Sequence, residues 1–186
     1  MKLPNRAHAL ALLDEWVENP NLKKHMLAVE AAMRSYAKLF KQDEEFWGCV
    51  GLLHDFDYER FPDAKHHPYE GVKVLERLGY PDEFLKAVLA HSTHTAEPRD
   101  SLLKKAIYAV DELCGFLVAV ALVRPAKQLQ DVSVDAVKKK LKEKSFAAKI
   151  NREEIIGGAN ELEITLEQHI QNVLTAMQNI HSQLGL

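Results

Sequence analysis

Residues 102–123, LLKKAIYAVDELCGFLVAVALV, form the longest mainly apolar stretch of the chain and decide its fold. The stretch is longer than an ordinary strand, so it predicts one buried helix that starts at Pro98 or Asp100 and ends at about Val123. Its longest part without a polar residue, 113–123, has 11 residues and is too short to span a bilayer. The fold is therefore expected to be built around one long internal helix.

Helical spacing of apolar residues continues on both sides of this stretch. No segment shows the apolar–polar alternation with a period of two residues that predicts a sheet, so we predict an all-α, single-domain helical bundle. Asp43 and Asn151 are expected to cap the helices that follow them, and residues 56–65 are expected to form a loop. The other predicted helices cover about 5–19, 21–41, 44–55, 68–79, 81–91, 135–144, 152–160 and 161–182.

Length and composition restrict the class of protein. A chain of 186 residues corresponds to one domain, 1–186, in which the more polar residues 124–186 are expected to pack on the rest as a C-terminal extension. Hydrophobic residues make up 47% and charged residues 27%, which is typical of a soluble globular protein and argues against disorder. The formal net charge of −3 gives no general attraction to nucleic acid or anionic lipid, so neither a stable nucleic-acid partner nor a membrane is expected. Residues 1–6 show no secretory signal, and a cytoplasmic location is expected.

Five residues place polar, metal-binding side chains where the helical pattern calls for apolar ones. They are His25, His54, Asp55, His91 and Asp111. A carboxylate in apolar surroundings is costly unless it is paired or binds a cation, and helical bundles commonly hold divalent metals through side chains from separate helices. Single residues have structural alternatives, since Asp111 could pair with a lysine or tyrosine and His25 could be a core-edge histidine. The joint order of the five favours a metal site.

Three motifs resemble the HD-domain superfamily of metal-dependent phosphohydrolases, which is named for its His-Asp pair. They are residues 25–30 (HMLAVE), 51–57 (GLLHDFD) and 109–113 (AVDEL). The resemblance covers about residues 22–123 and implies a helical metal-binding core there. It also implies a set of four metal ligands, namely His25, His54, Asp55 and Asp111.

Further histidines concern the number of metal ions. In binuclear members of the superfamily two more histidines are ligands, and by resemblance these are His67 and His91 here, with Asp55 bridging two divalent ions. His66 competes for the role of His67, which is preferred because it directly precedes the helix that starts at Pro68. The alternative is a single ion, with His67 and His91 contacting the substrate. Histidine and carboxylate ligands suit Mn, Fe, Co, Ni or Zn.

The resemblance implies a phosphohydrolase that cleaves a phosphate ester of a small, nucleotide-like molecule with a metal-activated water. Asp57 is a candidate for orienting the water and His94 for donating a proton to the leaving group, with a loop cap and a surface histidine as the respective structural interpretations. Lys73 and Arg124 are candidates for contacting the phosphate. The loop 56–66 and the segment after Arg124 are expected to shape the pocket.

Two other functions use the same residues. The six-ligand arrangement also resembles that of HD-type mixed-valence diiron oxygenases, in which iron activates oxygen to cleave a carbon bond of the substrate. A non-catalytic metal- or nucleotide-binding module is the third interpretation, although a degenerate domain would be free to lose Asp55 or Asp111. An oligomer is compatible with the amphipathic terminal helix. The remaining histidines His8, His169 and His181 are expected at the surface.

Overall fold

Regular structure in residues 4–186, the part of the chain that this computed structural model describes, is entirely helical, and no β-strand occurs there. The all-α prediction is confirmed. Within these residues, no helix combines the length and the apolar character needed to cross a bilayer. The helices are α1 (Arg6–Trp16), α2 (Pro20–Leu39), α3 (Glu44–Leu53), α4 (Tyr69–Arg77), α5 (Asp82–Ala90), α6 (Leu102–Leu122), α7 (Val134–Leu141), α8 (Arg152–Glu161), α9 (Leu166–Asn179) and α10 (His181–Leu184), with 3₁₀ turns at Thr93–Thr95 and Leu129–Asp131.

Side-chain caps define the starts of several helices. Asp43 accepts hydrogen bonds from backbone N–H groups in the first turn of α3, and Asn151 does the same for α8, so both predicted caps are confirmed. Helix α6 begins at Leu102, later than predicted, because the Ser101 side chain caps it. Serine at the N-cap satisfies a backbone N–H group that the helix itself leaves without a partner.

The predicted terminal helix 161–182 is wrong as a single element, because the chain forms the end of α8 and then the separate helices α9 and α10. Thr165 and Gln168 form a capping box, in which each side chain accepts a hydrogen bond from the backbone N–H of the other residue. This local motif starts a new helix at Leu166, although the apolar spacing continues across it.

Helix α2 packs against α3, α6 and α9. It meets α3 at Gly51, where an added Cβ would lie 2.9 Å from the carbonyl oxygen of Val29 and 3.0 Å from Cα of Glu30. Because close-packed backbone leaves no room for a side chain there, glycine permits the contact between the two helices. The contact holds the last turn of α3 beside the middle of α2.

Helix α6 runs through the core and contacts α2, α5, α8 and α9. Its contact with α8 is close at Gly158, where an added Cβ would lie 2.5 Å from Cα of Ala109. Side chains of the C-terminal extension, such as Ile155 and Val173, belong to the same hydrophobic cluster as side chains of α2 and α6. The extension therefore packs on α6 and places α8 next to the side of α6 that carries Asp111.

The expectation that His169 lies at the surface is wrong, because its side chain is fully buried between α2 and α6. The Nε2–H group donates to the carbonyl oxygen of Ala109 at 2.9 Å, so Nδ1 is left to accept from the Tyr36 hydroxyl at 2.7 Å. Burial lowers the pKa of His169 to about 4, although the hydrogen bond to Ala109 acts in the opposite direction. The polar tips of His169 and Tyr36 thus satisfy each other in the core, a pairing across 133 positions that no local pattern shows.

We expect the buried His169 to make stability depend on pH. Its folded-state pKa of about 4 lies below the ordinary value of 6.5, so the unfolded chain binds the proton more readily and stability falls as the pH decreases from 6.5 towards 4. By about pH 5 the loss from this group is about 2 kcal/mol. Urea unfolding at about pH 7 and pH 5 measures the decrease in the free energy of unfolding. This decrease should be about 2 kcal/mol smaller in His169→Gln than in wild type. The exposed His8→Gln is the control and should behave like wild type, whereas equal losses in wild type and His169→Gln would contradict the assignment.

Candidate metal centre

The six predicted metal ligands meet where five helices end or pass one another. His25 lies on α2 and Asp111 on α6, whereas His54 with Asp55 directly follows α3, His67 precedes α4, and His91 directly follows α5. Asp55, His67 and His91 lie beside helix ends, at the border between the apolar core and a cavity. Five of the six side chains form two groups that share Asp55 and could each hold a metal ion, and Asp111 lies beside the first of them.

The first group contains His25, His54 and Asp55, and Asp111 lies against it. One oxygen of Asp111, Oδ1, lies 3.0 Å from His25 Nε2 and 3.5 Å from His54 Nε2. Asp55 takes part through Oδ2, which is 3.7 Å from His54 Nε2. Nitrogen and oxygen atoms from three separate segments thus face a common point, which is the arrangement that holds a divalent metal in a helical bundle.

The second group contains Asp55, His67 and His91. The other oxygen of Asp55, Oδ1, lies 3.2 Å from His67 Nε2 and 3.1 Å from His91 Nε2. Asp55 therefore directs one carboxylate oxygen towards each group, as a bridging ligand would. His66, the competing candidate, is instead about half exposed and pairs with Asp63 at the surface.

The chemistry of His54 tests whether a metal fits this cluster. Its Nδ1–H donates to the carbonyl oxygen of Gly51 at 2.8 Å, and its buried Nε2 has no hydrogen-bond partner in the described part of the chain. A neutral imidazole held in this way directs the lone pair of Nε2 towards Asp55 and Asp111. His91 is held similarly, because its Nδ1–H donates to the carbonyl oxygen of Val88. These residues fit a divalent ion, which would accept the lone pair that Nε2 offers.

The ionisation of the cluster leads to the same conclusion. Burial opposes the charge of Asp55 and Asp111, but the facing histidines outweigh it and lower the pKa of both carboxyl groups below the ordinary range. Burial also lowers the pKa of His54, yet the two carboxylates overcome this effect and raise it to about 9. The two carboxylates therefore stabilise positive charge at this position. A divalent cation would supply that charge in place of the protons on the imidazoles.

Asp57 does not reach the cavity, so its expected role in orienting a water is corrected. The side chain is fully buried, Oδ1 accepts a hydrogen bond from His67 Nδ1 at 2.8 Å, and Oδ2 accepts one from the backbone N–H of Gly71 at 2.8 Å. Gly71 is needed there, because an added Cβ would lie 2.8 Å from the carboxyl carbon of Asp57. Asp57 is therefore a positioning residue that fixes the ring of His67 and leaves its Nε2 facing the cluster.

A cavity of about 420 Å³ opens beside the ligand cluster. The expected loop lines one side of it through Tyr58, Pro62 and Ala64. The extension after Arg124 contributes Glu154 from α8 to the opposite wall. Both segments therefore lie where the sequence pattern predicts that they shape the pocket.

His94 also lines this cavity, although it lies in the 3₁₀ turn Thr93–Thr95 and not on α5. Its Nε2–H donates to the carbonyl oxygen of His67 at 2.9 Å, and Nδ1 accepts from the Ser92 hydroxyl at 2.7 Å. The ring is thus held at the edge of the cavity with a proton on Nε2. Its role as a proton donor stays a prediction.

The two cations expected to contact the phosphate, Lys73 and Arg124, are not among the residues that line the cavity. Lys73 is 61% exposed on α4 and pairs with Glu70 one turn earlier. Arg124 is the second residue after α6, and its Nε is buried without a hydrogen-bond partner in residues 4–186. The structure does not bring either residue to the metal ligands, and their role in substrate binding stays a prediction.

Sequence reasoning missed two carboxylates that line the cavity, Glu112 and Glu154. Glu112 carries the same signal as its neighbour Asp111, an acidic residue inside an apolar run, but Glu154 lies in an ordinary acidic first turn of α8. Burial, together with the charges of Asp111 and Glu154, raises the pKa of Glu112 to about 7. The side of the cavity formed by α6 and α8 is therefore acidic.

Helices that hold four histidines and two carboxylates at one point define a metal-binding helical domain. The HD domain matches residues 22–115, about half of the chain, and the protein belongs to the HD-domain family. Most members of this superfamily are metal-dependent phosphohydrolases. A search of curated proteins and a search of solved structures gave no match to the chain.

We expect Asp57→Asn to weaken metal binding by the group of Asp55, His67 and His91 more than by the group of His25, His54 and Asp55. The substitution keeps the volume but removes the negative charge that holds His67, so the affinity of the group that contains His67 for a metal ion should fall by about 10- to 100-fold. Titration with Mn²⁺ against a competing chelator, followed by metal analysis, measures both affinities. The control is Asp63→Asn, which removes the carboxylate that pairs with His66 at the surface and should leave both affinities unchanged. Two unchanged affinities in Asp57→Asn would contradict the positioning role.

Proposed function

We propose that the protein is a metal-dependent phosphohydrolase that cleaves a phosphate ester of a small molecule. The observation that carries the proposal is the position of Asp55 between two histidine groups, with an unpartnered His54 Nε2 facing it. Membership of the HD-domain family supports the same reaction class. In its more specific form, the proposal has a nucleotide-like substrate. A cavity of about 420 Å³ is large enough to admit such a molecule.

The chain's own residues have distinct parts in the proposed reaction. His25, His54 and Asp111 would hold one ion, His67 and His91 the other, and Asp55 would contact both. Two bound divalent ions supply an activated water and neutralise the charge on the phosphoryl oxygens. In this proposal, the substrate occupies the cavity beside Asp55, which the loop 56–66 and α8 help to line.

We propose His94 as the group that returns a proton to the leaving oxygen. Its ring lies at the cavity and carries the proton on Nε2, the atom that donates to the carbonyl oxygen of His67. A general acid must lie within hydrogen-bond reach of the leaving group, and a rotation of the side chain towards the cavity would meet this requirement. To act as the acid, His94 would be an imidazolium, in which Nδ1–H donates to the Ser92 hydroxyl oxygen, Nε2–H passes to the leaving oxygen, and the ring returns to neutral imidazole.

Removal of one carboxylate ligand should abolish both metal binding and hydrolysis. We expect Asp111→Asn and Asp55→Asn to lose most of the bound metal and to lower kcat/KM for phosphate monoesters by about 1000-fold or more, because the water loses its activation. Metal analysis of each variant and phosphate release with Mn²⁺, Fe²⁺, Co²⁺, Ni²⁺ or Zn²⁺ measure this. Asp135→Asn, on the exposed face of α7, is the control.

The same experiment separates the two alternative functions. The diiron oxygenase interpretation predicts the same ligands but requires iron, a mixed-valence electron paramagnetic signal and substrate-dependent oxygen uptake. Full metal loading without phosphate release under any of these metals would contradict the proposed hydrolysis. A protein that takes up no metal would contradict both enzyme interpretations.

The size of the cavity should limit the substrate independently of the metal site. Gly115 on α6 lines the cavity, and an added Cβ there would meet only Ile150, at 3.7 Å. We expect Gly115→Leu to fill part of the cavity and lower kcat/KM by about tenfold or more with unchanged metal content. Gly115→Ala is the control, because it adds one methyl group and should stabilise α6 by up to about 1 kcal/mol. Unchanged kcat/KM in Gly115→Leu would show that substrate binds elsewhere.

A further inference from the structure

Two carboxylates that take no part in the ligand cluster form one wall of the cavity. Glu112 lies on α6 directly after Asp111, and Glu154 lies in the first turn of α8. Both side chains are partly buried, and neither forms an ion pair with a lysine or arginine in residues 4–186. The name acidic wall is used below for Glu112 and Glu154 together.

The acidic wall is held in place by neutral groups. Asn151, the N-cap of α8, donates its backbone N–H to Glu112 Oε2 at 3.3 Å and its side-chain amide to Glu154 Oε1 at 2.9 Å. The Thr93 hydroxyl also donates to Glu154 Oε1 at 3.3 Å. These contacts fix the orientation of both carboxylates without neutralising them, and they leave Glu112 Oε1 and Glu154 Oε2 without a hydrogen-bond partner in the described part of the chain.

The charges around the cavity do not balance without a further cation. No lysine or arginine of the described residues lines it, and Arg99, whose charge acts on Glu154 at longer range, pairs with Glu161. Two divalent ions exceed the charge of Asp55, Asp57 and Asp111 by one unit, which a phosphate dianion more than offsets. The acidic wall then remains uncompensated, in partly buried surroundings where an unpaired charge is costly.

We infer that the substrate is a small phosphate ester whose organic part carries an ammonium or similar cationic group, which pairs with Glu154 and Glu112. This inference rests on the proposed function, since the metal centre binds the phosphate end. It also makes the acidic wall a specificity determinant, because a second phosphate or another anionic group at that end meets the carboxyl groups of Glu154 and Glu112. This inference replaces the nucleotide-like form of the proposed function, because it expects a zwitterionic phosphate ester to be preferred to a nucleoside monophosphate.

The preference can be measured with a pair of substrates of equal size. In 2-aminoethyl phosphate an ammonium group replaces the terminal methyl group of propyl phosphate. With the Mn²⁺-loaded full chain, kcat/KM should be about tenfold higher for the amine than for propyl phosphate or adenosine monophosphate, as a partly desolvated ion pair would give. In Glu154→Gln, which keeps the side-chain volume, the preference over propyl phosphate should fall below about threefold. Glu112→Gln is the second variant and should lower the same ratio.

The matched control is Glu153→Gln, which alters the adjacent, exposed carboxylate of α8 and should keep the full preference. Thermal unfolding of each variant confirms that it is folded. A second readout does not depend on turnover: calorimetry should show tighter binding of 3-aminopropylphosphonate than of butylphosphonate to the metal-loaded wild type, and a smaller difference in Glu154→Gln.

The outcomes separate this inference from the proposed function. Equal hydrolysis of both esters, or a preference that Glu154→Gln does not reduce, would overturn the inference and leave the hydrolase assignment in place. If no phosphate monoester is hydrolysed, the proposed function fails and the calorimetric comparison alone decides on the acidic wall. Equal binding of the two phosphonates would then overturn the inference as well.

Discussion

The rest of the structure depends on the burial of two carboxylates, Asp55 and Asp111, inside an apolar helical bundle. A buried carboxylate without a partner is strongly destabilising, so the fold must bring positive charge or metal to both of them. Four imidazoles meet this requirement from separate helices, and one of them, His54, retains a buried nitrogen without a hydrogen-bond partner. The positions of α2, α3, α5 and α6 are therefore set as much by this polar cluster as by the hydrophobic core around it.

Contacts behind the ligands explain why the cluster has a defined geometry. His54 and His91 each donate Nδ1–H to a backbone carbonyl oxygen, and His67 donates Nδ1–H to the buried carboxylate of Asp57. Each ring therefore turns the same nitrogen, Nε2, towards the cluster. Glycines at the close contacts allow this arrangement, because a side chain at position 51 or 71 would displace the segments that carry the ligands.

The sequence was sufficient to predict those residues whose type conflicts with the local helical pattern or marks its start. Asp111 is visible because a carboxylate interrupts an apolar helix, and Asp43 because a cap precedes a helical run. The roles of Asp57 and His169 were not predictable in this way, since each depends on a partner that only the fold brings near. Glu154 gave no signal at all, because an acidic residue in a first helical turn is ordinary and its position at the cavity follows from the packing of α8 on α6.

The same difference separates the residues that would bind metal, which the sequence predicts, from a residue that would select the substrate, which it does not. The ligands lie within residues 22–115, where the HD domain matches, and they define a metal centre that many substrates could use. Glu154 lies outside that range, on a helix whose contact with α6 requires glycine at position 158. A segment that supplies no ligand can change the charge and size of the cavity without disturbing the metal centre. The C-terminal extension is therefore expected to contribute to the choice of substrate, and Glu154 is the residue of the acidic wall that it supplies.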